Sequence, residues 1–249
     1  MLASRCHLVS FFLLHLFRKA DMEALGITWS VGDILFQPFS KDGKRFVNMN
    51  IPGGEKLKFQ MSEDQNTNLQ RITWGLTAPQ NPQLDEKGEC IKFNLDLSVE
   101  STTLVNFLKQ LDERCEKESV AKSNEWFGKK MEERDVLNKF NKLLKTKDDG
   151  SLAVRVKVNS SSARVPTNIW VVKECSGNKI DYYKGTLDNL LVNSKCLVMV
   201  EASSIWFTKL FGISLNALDI LVWPSEKKIG VKTLNLPDVI LKNTDGSDI

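Results

Sequence analysis

The feature that most constrains this chain is a double change in the spacing of its apolar residues. Across residues 33–97, apolar and polar residues alternate, which is typical of strands with one buried face. Across residues 101–147 the apolar residues recur at helical spacing, and across 152–223 the alternation returns. The sequence therefore predicts a mainly β fold with a two-helix insertion in the middle of the chain.

The first β segment contains a hairpin signal around the Pro-Gly-Gly turn at residues 52–54. The strands on either side of this turn each have one apolar and one polar face. Phe46, Lys56 and Lys58 lie on the polar faces. We therefore expect two paired strands whose exposed surface combines an aromatic ring with lysines.

The first helix of the insertion has apolar residues at every third or fourth position: Leu104, Leu108, Leu111 and Cys115. Ser101 or Thr102 can cap its N-terminus. A second helix is predicted from about Glu132 to Lys147, and residues 124–130 separate the two.

The arrangement of strands, helices and strands again predicts one domain, because no linker or repeat divides the chain. We expect a small, OB-fold-like β-barrel over residues 22–235, with 101–147 as the helical insertion, since closure removes strand edges. Residues 1–21 read as an N-terminal extension outside the fold, whose apolar run is shorter than the roughly 20 residues of a spanning helix. Residues 236–249 read as a flexible polar tail.

Composition excludes several kinds of enzyme. The 249 residues carry a net charge of +3 and contain two histidines, His7 and His15. A domain that begins at residue 22 then has no histidine for a Ser-His-Asp triad, a Cys-His dyad or a histidine zinc site. The five cysteines form no CxxC pair, which indicates reduced thiols in a cytosolic or nuclear setting. We expect no cofactor, no metal and no catalytic activity.

Two stretches place a Trp-Phe pair beside glycine and lysine. Residues 124–130 read Asn-Glu-Trp-Phe-Gly-Lys-Lys, and residues 201–214 contain Trp206-Phe207 followed by Lys209 and Gly212. Both pairs can be core anchors, because aromatic side chains are mostly buried. Alternatively, some of these rings form a surface on which nucleic-acid bases stack.

Binding of single-stranded nucleic acid needs cations for phosphates and flat rings for bases. The candidate cations lie on polar strand faces or beside the Trp-Phe pairs: Lys44, Arg45, Lys56, Lys58, Lys129, Lys130, Arg155, Lys157 and Lys209. The candidate stacking rings are Phe46, Trp126, Trp170, Tyr182 and Trp206. Taken alone, each lysine can also be an exposed residue that only keeps the protein soluble.

Several segments together resemble a known family. Residues 124–130 between two helices resemble the central signature of a single-stranded-DNA-binding protein family of nucleocytoplasmic large DNA viruses, as in algal and giant viruses. Residues 205–214 resemble its C-terminal signature, and 44–48 and 93–98 fall where that family has early strands. The resemblance covers roughly residues 30–223. It implies an OB fold similar to that of the single-stranded-DNA-binding proteins of short-tailed phages.

The resemblance also implies a role and partners. These are replication, recombination or repair of viral DNA, single-stranded DNA as ligand, a homodimer, and replication proteins such as polymerase and helicase/primase. It places the protein in the host cytoplasm or nucleus, or in the virion, with no membrane association. The phage proteins end in a strongly acidic tail with a terminal aromatic residue, whereas residues 245–249 contain two acids and end in isoleucine. Recruitment of a polymerase through the tail is therefore not implied.

Two other classes of function remain open from the residues. A virion-associated structural or interaction protein would also combine a β-rich domain, ordinary charge and an exposed helical insertion. A nuclease that uses metal-bound carboxylates ranks last, because the acidic residues lie mostly in helices and loops without a converging pattern.

Overall fold

A computed structural model describes residues 25–224, apart from residues 28, 42, 63–68, 76–81, 85, 89 and 177–178. The predicted N-terminal extension at 1–21 and the predicted tail at 236–249 lie outside the described residues.

The described residues form twelve strands in a single sheet and three α-helices. The strands are β1 Leu35–Lys41, β2 Lys44–Asn50, β3 Leu57–Gln60, β4 Gln70–Trp74, β5 Gln83–Leu84, β6 Cys90–Ser98, β7 Leu144–Thr146, β8 Leu152–Asn159, β9 Asn168–Ser176, β10 Lys179–Lys184, β11 Lys195–Phe207 and β12 Phe211–Trp223. The helices are α1 Thr102–Ala121, α2 Ser123–Phe127 and α3 Glu133–Leu137. Short 3-10 helices lie at Val31–Asp33 and Leu187–Asn189. The prediction of a mainly β fold with helices in mid-chain is confirmed.

Five strands pair in a closed ring. β11 pairs with β4, β4 with β6, β6 with β8, β8 with β12, and β12 returns to β11. Beyond this ring, β2 and β3 pair with β11, β1 pairs with β2, and the β9–β10 hairpin joins β12. The short strands β5 and β7 pair with β6 and β8. The long strands β11 and β12, with thirteen residues each, join the ring to β1, β2, β3, β9 and β10.

Alternating residues of β6 and β8 build one wall of the core. Phe93, Leu95 and Leu97 of β6 lie opposite Val158, Val156 and Val154 of β8, and all six side chains are buried. Because successive strand residues point to opposite faces, the residues between them point away from the core. This second surface of the sheet is called the outer face below.

Helix α1 packs against the core along the apolar positions that the sequence predicted. Leu104, Leu108, Leu111 and Cys115 are all buried. The backbone N–H of Leu104 donates to Ser101 Oγ at 3.1 Å, so Ser101 is the N-cap, as the sequence allowed.

The predicted hairpin around residues 52–54 is wrong in its pairing. β2 and β3 share only an isolated bridge between Asn50 and Lys56, and both strands pair instead with β11. The Pro-Gly-Gly signal correctly predicted that the chain reverses direction between β2 and β3. However, the thirteen-residue β11 offers backbone partners to both strands. Long-range pairing therefore overrides the local one.

The predicted second helix is also wrong over most of its length. α3 ends at Leu137, residues 138–143 are irregular, and the predicted insertion already contains β7. The reason is a tertiary contact with β12: Phe211 N–H donates to Lys139 O at 2.9 Å, and Asn141 N–H donates to Phe211 O at 2.7 Å. These bonds pair residues 139–141 with Phe211 and prevent the helix from continuing, and Phe140 and Leu143 are buried.

Candidate nucleic-acid interface

Three aromatic side chains lie next to one another on the outer face. Phe39 of β1 is opposite Phe46 of β2, and Phe46 is opposite Trp206 of β11. Residues directly opposite in antiparallel strands have side chains on the same face, so the three rings cross adjacent strands over about 10 Å. The rings of Phe39 and Phe46 stack with centroids 5.4 Å apart and an interplanar angle of 22°. We call Phe39, Phe46 and Trp206 the aromatic row.

The aromatic row retains contact with solvent. Phe39 is 37% exposed, and Phe46 and Trp206 are half-buried. On the other side of Trp206 lies Gly212 of β12, which has no side chain to cover the indole. Flat rings held by strand pairing and open to solvent can accept unpaired bases by stacking.

A polar row runs parallel to the aromatic row and holds lysines. Asn48 of β2, Ser204 of β11 and Ser214 of β12 are opposite one another in register. Lys56 Nζ donates to Asn48 Oδ1 at 3.4 Å, and Lys157 Nζ donates to Ser214 Oγ at 2.9 Å. The polar row therefore places two ammonium groups beside the rings.

Lys157 is a partly desolvated cation without an acidic partner among the described residues. Burial, with a smaller contribution from the charge of Lys92, lowers the pKa of Lys157 below its ordinary value. A phosphate next to Lys157 would stabilise the charged form of its ammonium group and so oppose this lowering of its pKa. This lysine is therefore well suited to hold an anion on the outer face.

Arg155 lies on the same face but is already engaged. Its Nε and Nη2 donate to the two carboxylate oxygens of Asp96 at 2.6 and 2.9 Å, which raises the pKa of the guanidinium. Its guanidinium carbon also lies 4.9 Å from the ring centroid of Trp74. Arg155 is therefore fixed against Trp74 and has less capacity for a phosphate than Lys157.

The two Trp-Phe pairs meet at one end of the sheet. The ring centroids of Trp126 and Phe207 are 6.4 Å apart, and those of Phe127 and Phe207 are 5.5 Å apart. Trp126 is only 1% exposed, so its predicted role as a stacking ring is wrong for this structure. α2 turns the indole into the core against Phe36, at a centroid distance of 5.5 Å.

Two glycines permit this junction. Gly128 ends α2 with φ of +71°, a left-handed conformation that glycine adopts without strain, and the Arg45 guanidinium occupies the space that a Cβ here would need. At Gly212 a Cβ would lie 2.7 Å from the Asn141 carbonyl oxygen. The glycines beside the Trp-Phe pairs thus allow Arg45 and residues 139–141 to approach closely.

A small cleft opens where the two pairs meet. Its volume is about 170 Å³, and its lining includes the rings of Trp126, Phe127, Phe207 and Phe211. Arg45, Lys139 and Lys209 also line this cleft, and none of the three forms an ion pair with another described residue. Trp126 Nε1 is buried and has no acceptor among the residues that the structure describes. Such an orphaned donor is unusual in a protein interior.

The remaining predicted site residues lie apart from the aromatic row or at its border. Lys44 is exposed two residues from Phe46, and Lys58 is exposed opposite Glu201 of β11. Lys129 and Lys130 are exposed directly after α2. Trp170 and Tyr182 form a separate T-shaped pair at 5.6 Å on β9 and β10. Trp170 pairs with Leu221, nine residues along β12 from Gly212, or about 30 Å away.

Sequence reasoning missed Phe39, Trp74 and Lys139. Phe39 shares its strand face with Leu35 and Gln37, but only the pairing of β1 with β2 shows that it lies beside Phe46. Trp74 is half-buried on the outer face beneath Arg155. No local signal places Lys139 at the cleft, because its neighbours there come from β2, α2 and the β11–β12 turn.

Within the described residues, no cluster of three or more metal-ligating side chains occurs. None of the helices in this part of the chain is both long enough and apolar enough to cross a membrane.

Comparison with known proteins gives structural similarities only. No family model and no curated protein matches the chain. The single-stranded DNA-binding protein from bacteriophage Enc34 in complex with ssDNA is 12% identical, with a TM-score of 0.39, over 78% of this chain and 98% of that chain. The single-stranded DNA-binding protein gp2.5 of bacteriophage T7 is 12% identical, with a TM-score of 0.42, over 78% of this chain and 99% of that chain. Similarity at this level leaves the function of the chain to be argued from its own residues.

Proposed function

We propose that this protein binds single-stranded DNA across its outer face without reading a defined sequence. The observation that carries the proposal is the aromatic row, three solvent-accessible rings on adjacent strands, beside the lysines of the polar row. Rings attract bases of any sequence, because every base has a flat face. Lysines that have no acidic partner in the described residues can take the phosphates.

The same geometry favours unpaired over paired strands. In a duplex the base faces are already stacked on their neighbours, so the aromatic row has nothing to stack on. A single strand exposes these faces, and each stacked base contributes about 1–3 kcal/mol. The phosphate contacts add a component that weakens as the salt concentration rises.

The finer parts of the proposal concern fold and role. The closed ring of five strands, with the helices between β6 and β8, supports an OB-fold-like assignment. A role in viral DNA replication, recombination or repair, a homodimer, and contacts with polymerase or helicase/primase follow only from the sequence resemblance. These properties and the site of action in the host cell or virion stay predictions.

Titration with an oligo-dT strand at low salt tests the proposal. We expect tryptophan emission to change as the strand binds, and the logarithm of affinity to fall with log salt by about 0.7 per phosphate contact. A duplex competitor should displace the strand poorly. An unchanged emission and no retention of oligo-dT at low salt would contradict the proposal. A large homo-assembly that is indifferent to DNA would favour the structural role instead.

A further inference from the structure

A second set of solvent-accessible rings lies on the β9–β10 hairpin. The rings of Trp170 on β9 and Tyr182 on β10 meet edge to face, with centroids 5.6 Å apart and an interplanar angle of 72°. Tyr182 is 54% exposed, and Trp170 is half-buried. We call Trp170 and Tyr182 the hairpin rings.

Strand β12 connects the aromatic row to the hairpin rings. Gly212, near the start of β12, is opposite Trp206 of the aromatic row, and Leu221, near its end, pairs with Trp170. The two positions on β12 are nine residues apart, which corresponds to about 30 Å of strand. One continuous strand therefore has an aromatic side chain of a neighbouring strand beside each of its ends.

A bulge in β12 determines which faces these two ends present. Strict alternation over nine residues would place the two ends on opposite faces of the sheet. However, Ala217 and Asp219 are opposite consecutive residues of β11, so Leu218 is an extra residue in β12. The residues that point into the core are accordingly Ala217 and then Ile220, and both are buried. Both ends of β12 therefore present the outer face.

The hairpin rings lie on this outer face. Trp170 pairs with Leu221, which follows the buried Ile220 and so points away from the core. Trp170 Nε1 also donates to Oδ1 of Asp219, which precedes Ile220, at 3.5 Å. The ring of Tyr182 contacts Trp170 and is on the same side. A ligand on the outer face can therefore meet the aromatic row and the hairpin rings along adjacent strands.

A cation accompanies each set of rings. Lys157 Nζ donates to Ser214 Oγ at 2.9 Å, two residues along β12 from Gly212. Lys184 of β10 is exposed and lies directly opposite Trp170. Neither lysine forms an ion pair with a described residue. Both ends of this path therefore combine flat rings with an ammonium group that can take a phosphate.

Asp219 is an acidic neighbour of the hairpin rings. Its Oδ1 accepts from Asn168 Nδ2 at 3.0 Å in addition to Trp170 Nε1. A carboxylate repels phosphate, so the side of Trp170 that faces Asp219 suits a base better than the backbone of a strand. The phosphates of a bound strand then lie towards Lys184.

We propose that the hairpin rings are a second base-stacking site, which a single DNA strand reaches by following β12 from the aromatic row. Lys157 and Lys184 hold phosphates at the two sites. A strand with the spacing of B-DNA advances about 3.4 Å per nucleotide, so about nine nucleotides cover the distance, and an extended strand needs fewer. This inference rests on the proposed binding of single-stranded DNA and adds the path of the strand and the length that it needs.

Comparison of a short and a long oligo-dT tests this inference. A strand of about four nucleotides reaches the aromatic row alone, whereas one of about sixteen nucleotides reaches both sites. Tyr182→Ala should weaken binding of the long strand by about fivefold or more, since a single stacked base accounts for that factor. The same substitution should leave binding of the short strand nearly unchanged. Tyr182→Phe keeps the ring and should retain wild-type affinity for the long strand.

Tyr183→Ala is the matched control. Tyr183 is 52% exposed and is the next residue of β10, but it pairs with the buried Val171 and points to the other face. It should leave the affinity for both strands unchanged, whereas Phe39→Ala in the aromatic row should weaken both.

Two results would overturn the second site while the proposed function stands. One is an unchanged affinity of Tyr182→Ala for the long strand when Phe39→Ala binds it more weakly. The other is an equal loss in Tyr182→Ala and Tyr183→Ala, which would indicate a distorted hairpin instead of a lost stacking contact. Failure of wild-type protein to bind either strand would instead overturn the proposed function itself.

Discussion

Both pairs read Trp-Phe in the sequence, but the structure places their rings differently. Trp126 and Phe127 end a helix, and both rings enter one aromatic cluster with Phe207. Trp206 and Phe207 end a strand, so only Phe207 enters that cluster while Trp206 lies on the outer face with Phe46. The first pair is structural, and the second divides its rings between structure and surface.

The difference comes from backbone geometry. Neighbouring residues of a helix are about 100° apart around its axis, so two large rings can face the same side. Neighbouring residues of a strand point to opposite faces. A dipeptide motif therefore has no fixed role, and the element that carries it decides which ring is available to a ligand.

Replacement of Trp126 should give the largest effect on stability. The indole is 1% exposed and packs against Phe36 and Phe207, so Trp126→Ala should lower the free energy of unfolding by about 3–5 kcal/mol. Trp206→Ala is the matched control and should cost much less, because its ring is half-exposed. Urea unfolding of the two variants measures this difference. Equal losses of unfolding free energy in the two variants would contradict the different roles of the two tryptophans.

The free energy of unfolding should also depend on pH, through a buried carboxyl group on helix α1. Asp112 of α1 is buried, and the backbone N–H of Leu143 donates to both of its oxygens at 3.0 and 3.2 Å. Burial raises the pKa of Asp112 from 3.8 to about 7. Between these values the folded protein binds more protons than the unfolded chain. Stability should therefore fall as pH rises from about 4 to about 7.

Asp112→Asn tests this dependence, because asparagine keeps an acceptor for Leu143 and cannot ionise. Between pH 5 and pH 8 we expect the wild-type protein to lose about 2–3 kcal/mol more unfolding free energy than the variant. Urea titrations at the two pH values measure the difference. If the free energy of unfolding changes with pH in the same way in both proteins, burial does not raise the pKa of Asp112 in the folded state.

On the strand side, Trp206→Ala should act on binding. Loss of one stacking ring should reduce affinity for oligo-dT by about 1–3 kcal/mol, or roughly fivefold to 150-fold. Tyr183→Ala is a suitable control, because Tyr183 is 52% exposed but lies on β10, far from the aromatic row. Fluorescence anisotropy with a labelled strand gives both affinities. A larger loss in the Tyr183 variant would move the interface to the β9–β10 hairpin.

The smallest expected effect concerns a single cation. Lys157→Gln should reduce the slope of log affinity against log salt by about 0.7, the value for one phosphate contact on a single strand. Lys117→Gln changes an exposed lysine of α1 and should leave the slope unchanged. An equal change in both variants would indicate a general effect of net charge rather than a contact at Lys157.

Short-range periodicity predicted much of the fold. The alternation in β6 and β8 and the apolar face of α1 are all present, because each is a local pattern matched to a single core. The β2–β3 hairpin and the long second helix were wrong because β11 and β12 supply partners from more than seventy residues away. A local signal cannot report such competition.

The candidate site was predictable to a similar extent. Phe46, Lys56 and Lys157 could be assigned to a polar strand face from alternation alone, and they lie on the outer face. The burial of Trp126 and the position of Phe39 depend on the packing of α2 and the pairing of β1. The cleft could not be predicted, because its residues come from β2, α2, the segment after α3 and the β11–β12 turn.

Photo-cross-linking tests the central claim most directly. An oligonucleotide in which iodouracil replaces thymine is irradiated with the protein, and the attached peptides are mapped by mass spectrometry. We predict adducts at Phe39, Phe46 and Trp206, with loss of the Trp206 adduct when salt or unlabelled oligo-dT releases the strand. Adducts confined to the β9–β10 hairpin or to helix α1, with none on the aromatic row, would contradict the account.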